Sequence, residues 1–394
     1  SIEKSLTGNT LNLKIATRDS RSDKSIELPL YDGIGNIVAN LIITQEGNPA
    51  APLPLPGQNL RDALGGMAIT LAQGFQEYNL IQQYYVYNKQ ANTVEQYIYP
   101  ECSQVENMWS ELYKFQANLQ TIKNIDAEQL NVYQDILNVF SALQYYPMIV
   151  AWGNIPYITN TSINPSPQTD ANTILNDLKN KLTQAIETLD EKKNEPLKDI
   201  NGFFFISKDV ARVVLADIYM YQNDYSNALH LLEQVINNGF YQLDHSNYSN
   251  QETINGIVDH QGGNEIIFAL YNNTTRTRSN IVIAIPPLIP VQTYTEVILS
   301  YAECLYKQGN IQEAKNQLNK IITAKEITLN SNDVFKSIVE ARKQLLLYTI
   351  NNFAFMKRNG IAQEEYGIEA YRLLLPIPRI EIEYNPYITQ NPGY

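Results

Sequence analysis

Asp209-Val-Ala-Arg-Val-Val-Leu-Ala-Asp-Ile-Tyr-Met-Tyr-Gln-Asn-Asp-Tyr-Ser-Asn-Ala-Leu-His-Leu-Leu-Glu-Gln-Val-Ile-Asn-Asn238 holds two short amphipathic stretches joined by a turn. Leu215, Ala216 and Tyr219 belong to the first stretch, and Ala228, Leu232 and Val235 to the second, at helical spacing. Asn223-Asp224 supplies the turn. Small Ala216 and Ala228 let two antiparallel helices approach closely, and the larger residues fill the space around that contact.

This pattern fits the tetratricopeptide template, in which each repeat is one helical hairpin. A second hairpin matches it. Tyr301, Ala302 and Leu305 lie on one helix and Ala314, Leu318 and Ile321 on the next, with Gly309-Asn310 between them. The two template alanines, Ala228 and Ala314, are 86 residues apart, so the repeats are not tandem. An insert at about 241–294 separates them. In it, Glu265 to Tyr271 reads as a strand, Asn272 to Asn280 as a polar loop, and Val282 to Pro290 as apolar and extended. Loops carried by rigid helical repeats are common sites of function.

Further helices flank the hairpins. Leu60, Leu64, Met67, Leu71 and Phe75 form one stripe within 60–87; Trp109, Leu112, Phe115 and Leu119 form another within 105–122. A third helix starts near Ala127, and Pro147 is predicted to end or kink it. A fourth spans 171–189, and a last helix is predicted over 333–356, with Gly360 as its cap. Residues 1–56 read as an irregular N-terminal arm with short strands, closed by the proline-rich run Pro49 to Pro56. The fold class is therefore mostly α. It is a tetratricopeptide-like scaffold over 57–394, in one domain, with inserted irregular or short-strand loops.

Composition narrows the function. With 29 basic and 41 acidic side chains the net charge is −12, and no basic block exists to hold phosphates, which argues against nucleic acid. No apolar run approaches the roughly 18 residues that span a bilayer. Phosphate loops, dinucleotide fingerprints, nucleophile elbows and zinc-protease motifs are all missing. His230, His245 and His260 are scattered, and the pairs Glu364-Glu365 and Glu381/Glu383 read as solvated, so no enzyme, metal or cofactor is expected. Cys102 and Cys304 leave a disulfide open.

Tyrosine stands out, with 27 against 11 Phe and 2 Trp, and it suits a surface that is both apolar and hydrogen-bonding. Many of these rings belong in a Tyr-rich helical core. The candidate ligand surface is Tyr85, Tyr87, Asn88, Tyr97 and Tyr99, around the polar loop 88–96, with Tyr271, Asn272, Arg276 and Arg278 in the insert. A tyrosine ring covers the C–H face of a sugar, and Asn and Arg bond its hydroxyls.

The chain closes with Leu373-Leu-Leu-Pro-Ile-Pro-Arg-Ile-Glu-Ile-Glu-Tyr-Asn-Pro-Tyr-Ile-Thr-Gln-Asn-Pro-Gly-Tyr394. Four prolines forbid a continuous helix, yet the stretch is apolar and aromatic. An extended clasp over the helical scaffold is predicted. Pro376-Ile377-Pro378, Glu381, Asn385-Pro386 and Thr389 to Tyr394 resemble the "PIP…E…NP…L.QNPGY" ending of the SusD/RagB-type outer-membrane nutrient-binding lipoproteins. Trp109 to Tyr113 with Ala117-Asn118, Trp152-Gly-Asn-Ile-Pro156, Glu265 to Phe268, Thr295 to Ala314 and Phe355 to Gly360 are similar to other segments of that family. The resemblance implies a SusD-like fold and a ligand site built from loops of the two tyrosine-bearing regions. It also implies a lipid-anchored protein on the outward face of the outer membrane, its lipidated cysteine upstream of Ser1. Such a protein captures a glycan or other nutrient and hands it to a TonB-dependent outer-membrane transporter. The alternative from the hairpins alone is a tetratricopeptide-type scaffold for a protein or peptide.

Overall fold

The computed structural model describes residues 2–7, 10–15, 24–45, 58–91, 98–121, 127–159, 165–191, 206–245, 265–271, 275–278, 281–284, 288–346 and 349–394. The chain divides into two compact units, Ser1–Gly57 with Ile125–Gln134, and Gln58–Asn124 with Asp135–Tyr394.

The first unit carries two antiparallel hairpins, β1 (Ile2–Thr7) with β2 (Thr10–Ile15) and β3 (Lys24–Tyr31) with β4 (Ile37–Gln45). Asp32 makes the β3–β4 turn, its carboxylate accepting from the N–H groups of Ile34 at 3.0 Å and Asn36 at 2.8 Å. These bonds hold its carboxyl below the usual range, the Asn36 N–H contributing most.

The second unit is helical. Helices α1 (Gln58–Ala91) and α2 (Ser103–Thr121) pack together, and α3 (Ala127–Trp152) is buried along nearly all of 136–152. Pro147 lies inside α3, so of the two predicted effects, an end or a kink, it does not produce the end. Packing on all sides outweighs the loss of one N–H donor there. Then follow the short antiparallel pair β5 (Ile155–Pro156) and β6 (Gln168–Thr169), α4 (Ala171–Thr188), the first hairpin α5 (Lys208–Tyr221) and α6 (Tyr225–Asn237), and the second hairpin α7 (Tyr294–Lys307) and α8 (Ile311–Lys325). Helix α6 packs on α7, so the two hairpins stack although the insert lies between them in sequence. The predicted helix over 333–356 is two, α9 (Val334–Leu345) and α10 (Ile350–Arg358), because the Thr349 hydroxyl caps α10 by accepting from the Asn352 N–H at 3.2 Å. Short α11 (Ala362–Tyr366) and α12 (Arg379–Tyr384) complete the chain.

In the insert, β7 (Ile266–Tyr271) pairs antiparallel with β10 (Leu288–Thr293). The stretch expected as a polar loop instead contains β8 (Thr275–Arg278), paired with β9 (Ile281–Ala284). Glu265 fixes the base of the insert. Its carboxylate accepts from the Asp244 N–H at 2.7 Å, the Thr295 N–H at 3.2 Å and Lys325 Nζ at 2.5 Å.

Both hairpin turns are made the same way. Asp224 N–H donates to the Tyr219 carbonyl at 2.8 Å and Asn223 N–H to Met220 at 2.9 Å; Asn310 N–H donates to Leu305 at 2.9 Å and Gly309 N–H to Tyr306 at 3.0 Å. This pairing satisfies orphan carbonyls at a helix end and needs a left-handed residue, supplied by Asn223 at φ 62° and Gly309 at φ 82°. A methyl group at Gly309 would meet no atom within 4 Å, so Gly309→Ala isolates the backbone cost. Urea unfolding is expected to show a loss of about 1–2 kcal/mol for this variant.

Candidate functional site

The C-terminal end of α3 sets the central problem of the second unit. Ile149, Val150, Ala151 and Trp152 are all buried, and the last four carbonyls of a helix have no partner within it. Each finds one elsewhere. Gly153 N–H donates to Ile149 at 2.9 Å, Lys357 Nζ to Val150 at 2.6 Å, Leu375 N–H to Ala151 at 2.7 Å and Asn391 Nδ2 to Trp152 at 3.0 Å. Burial pushes the Lys357 ammonium down to about 7.

Two of these four donors belong to the closing segment, and the rest of that segment is fastened in the same manner. The Trp152 indole donates to the Pro376 carbonyl at 2.9 Å. The Gln390 amide pairs with both backbone groups of Ile377, accepting its N–H at 2.7 Å and donating to its carbonyl at 2.8 Å. Asn391 Nδ2 also donates to Leu375 at 2.8 Å, and Tyr394 Oη to Leu374 at 3.0 Å. Further along, Gln168 Oε1 accepts from the Thr389 N–H at 3.0 Å, and Asn385 Nδ2 donates to Ser166 at 2.8 Å. Gly393 sits at φ 98°, and a Cβ there would lie 2.5 Å from the Tyr371 ring, so no side chain fits. Glu381, expected as solvated, is half-buried. Burial raises its pKa, against a lowering hydrogen bond from Trp109.

Tyr85 lies on α1 and is fully buried, its ring stacked 6.0 Å from Phe353 and its hydroxyl donated to the Arg372 carbonyl at 3.3 Å. It is a core residue, which corrects its placement on the ligand surface. Positions 60, 64, 67, 71, 75, 78 and 85 fall on one helical stripe, a signal that extends past the residues first used to define it. Tyr87 and Asn88 lie on α1, and their side chains fall outside the described residues, as do Tyr97 and Asn272. Tyr99 is exposed. Tyr271 ends β7 opposite Leu288; Arg276 and Arg278 lie on β8 opposite Ile283 and Ile281, on one face of the strand by their spacing of two.

Arg372, which the sequence did not single out, contacts the residues on both sides of 86–97. Its carbonyl accepts Tyr85 Oη, and its Nη1 donates to the Ile98 carbonyl at 3.1 Å. Its guanidinium lies 4.9 Å from the Tyr371 ring centroid and 5.8 Å from that of Tyr394. Arg379 holds the next residues, its N–H donating to Pro100 at 3.0 Å and its Nη1 to Glu101 at 2.9 Å. Arg372, immediately before the closing segment, and Arg379 within it therefore position the chain that leads into and out of the tyrosine-rich candidate region.

A separate groove of about 410 Å³ lies over α4, α5 and α6, with Ile186, Lys208, Arg212, Tyr219, Asn227 and His230 in its lining. Its cations are compensated: Arg212 Nη1 lies 2.7 Å from Asp209 and 3.3 Å from Glu191. Cys102 and Cys304 are both buried free thiols. Among the described residues no group of His, Cys and carboxylates is arranged to hold a metal ion, and no helix is long and apolar enough to cross a membrane.

A clasped, tetratricopeptide-like helical scaffold with a short-strand insert is the class this architecture defines. The tetratricopeptide repeat family matches residues 296–324, which cover most of α7 and of α8. No curated protein sequence matches the chain. Among solved structures, a SusD superfamily protein from Bacteroides thetaiotaomicron is similar with TM-score 0.61 and 17% identity, covering 84% of this chain and 98% of that one. Surface glycan-binding protein A from Bacteroides fluxus has TM-score 0.64 and 14% identity, with 86% and 100% covered. A laminarin-binding SusD-like protein has TM-score 0.61 and 16% identity, with 84% and 99% covered. The fold of this chain is SusD-like.

Asn391 carries the sharpest test of the clasp. Asn391→Leu leaves the buried carbonyls of Trp152 and Leu375 without their shared donor, and denaturant unfolding is expected to register a loss of about 2–5 kcal/mol.

Proposed function

We propose that this protein is a non-catalytic glycan-binding protein of the cell surface, and that it passes its ligand to a TonB-dependent outer-membrane transporter. The observation that carries this reading is the SusD-like fold over more than four-fifths of the chain, shared with proteins named for surface glycan binding and for laminarin binding. The ligand surface is assigned to Tyr87, Asn88, Tyr97 and Tyr99 with Tyr271, Asn272, Arg276 and Arg278. Aromatic faces, amides and guanidiniums in that mixture suit a neutral oligosaccharide. Arg372 and, within the closing segment, Arg379 support the reading indirectly, because they hold Ile98, Pro100 and Glu101 as a rigid base beside the first group.

A second reading is favoured by one feature. The groove over α4 to α6 and the tetratricopeptide match suit an extended peptide. Oligosaccharide and peptide panels read by calorimetry separate the two. The glycan reading expects a bound oligosaccharide whose affinity falls about tenfold, ~1.4 kcal/mol, in Tyr99→Ala and in Arg276→Ala, and stays unchanged in Tyr219→Ala. Binding of peptides alone, weakened by Tyr219→Ala, would overturn it.

A further inference from the structure

Five charged side chains meet in the interior of the second unit: Asp217 on α5, Glu296 and Glu303 on α7, Arg342 on α9 and Arg358 on α10. Buried charges persist only when paired and hydrogen-bonded. Glu303 accepts from Arg358 Nε at 2.9 Å and Nη2 at 2.5 Å, and from Asn359 Nδ2 at 2.8 Å. Burial opposes its charge, but Arg358 outweighs burial and holds the carboxyl below its usual range. Arg342 donates to Ser300 Oγ at 3.0 Å and lies 4.6 Å over the Phe355 ring; its charge and an Asn351 hydrogen bond act on Glu296. Arg358 thus answers Glu303, whereas burial outweighs Arg342 and Asn351 at Glu296 and leaves its carboxyl above the usual range. Asp217 is a third carboxyl with no cation of its own, and burial, then the charge of Glu296, pushes its pKa well up.

Asp217 also lines a partly open cavity of about 20 Å³ with Leu143, Tyr146, Pro147, Gln292 and Asn351. That volume suits one water molecule, which needs two to four polar partners. The lining offers them. Tyr146 Oη and Gln292 Oε1, in side chains 2% and 1% exposed, have no hydrogen-bond partner in the protein. Gln292 Nε2 donates to the Val210 carbonyl at 3.2 Å, which fixes the amide and leaves Oε1 as an acceptor. Pro147 has no N–H, so the Leu143 carbonyl lacks its helical donor.

We propose that this cavity is a built single-water site in which Asp217, as an uncharged carboxylic acid, donates to a water that serves α3, α5 and β10 together. The water accepts from the Asp217 and Tyr146 hydroxyls and donates to Gln292 Oε1 and the Leu143 carbonyl, so its four bonds and the lining's demands match. Two consequences follow for pH. An acid whose pKa is raised by folding contributes stability at low pH that is lost as pH rises through its folded value. Lys357, with its lowered pKa, contributes the opposite slope between about 7 and its unfolded value, and so the comparison must be between variants. The charged or titratable groups facing Asp217 are Tyr146, Glu296, Glu303, Cys304, Arg342 and Arg358.

The test joins Asp217→Asn to a high-resolution crystal structure of the unaltered chain. The density is expected to hold one water within about 3.2 Å of Tyr146 Oη and Gln292 Oε1, with no anomalous peak there after a rubidium soak. Asp217→Asn is expected to melt within about 2–4 °C of the parent at pH 6, and the parent to lose melting temperature relative to it as pH rises to 9. If the variant does not fold, the carbon-13 shift of the Asp217 carboxyl in the parent decides, with the protonated value expected at pH 7. An empty cavity, a rubidium peak, parallel pH curves or an ionised Asp217 at pH 7 would overturn the proposal.

Discussion

A buried helix end must find donors for its last carbonyls, and the buried end of α3 imposes this requirement. Leaving one such group unpaired costs about 1–3 kcal/mol, so four open carbonyls would consume a large share of a domain's net stability. Two donors arrive from residues more than 200 positions away in sequence, Lys357 and Leu375, and a third from Asn391. The closing segment suits this task because its prolines keep it extended and its few remaining N–H groups and amides are spent on named carbonyls. A helix in its place would use those donors internally.

The same segment reaches the candidate ligand region. Arg372, which immediately precedes the segment and lies beside the Tyr371 and Tyr394 rings, accepts from the Tyr85 hydroxyl and donates to the Ile98 carbonyl, and these contacts bracket the tyrosine-rich stretch. The clasp and the residues that flank 86–97 are therefore neighbours in space although they lie far apart in sequence. Rigid support of this kind is what a binding surface on loops requires, since ordering those loops otherwise detracts from affinity. The five-charge cluster holds α5, α7, α9 and α10 in one arrangement, so the scaffold beneath is polar at its centre as well as packed.

Much of the fold was legible because its signals are local. The turns at Asn223 and Gly309 need a left-handed residue, and the alanines at 216, 228, 302 and 314 are all buried where the hairpin helices meet. The helix end that Pro147 allows and the unbroken helix over 333–356 are both absent, for opposite reasons. A strong local breaker was overridden by burial, whereas the modest cap at Thr349 was enough to divide an otherwise continuous pattern. Tyr85 was read as a wet ring because of its tyrosine neighbours, although its position on the α1 stripe marks it as core. The partners of Glu303, Glu265 and Asp217 could not be read at all. A charged residue on a helix has the same sequence pattern whether it faces solvent or a guanidinium from an element many residues away.

The central claim is that the closing segment is structural, completing α3 and bracing the ligand region without itself being the ligand surface. Thermal unfolding of a chain that stops at Leu374 tests it most directly. Without the Leu375 and Asn391 donors the account predicts loss of the cooperative transition, or a melting temperature lower by about 10 °C or more. A shortened chain that melts as the full one does would contradict it.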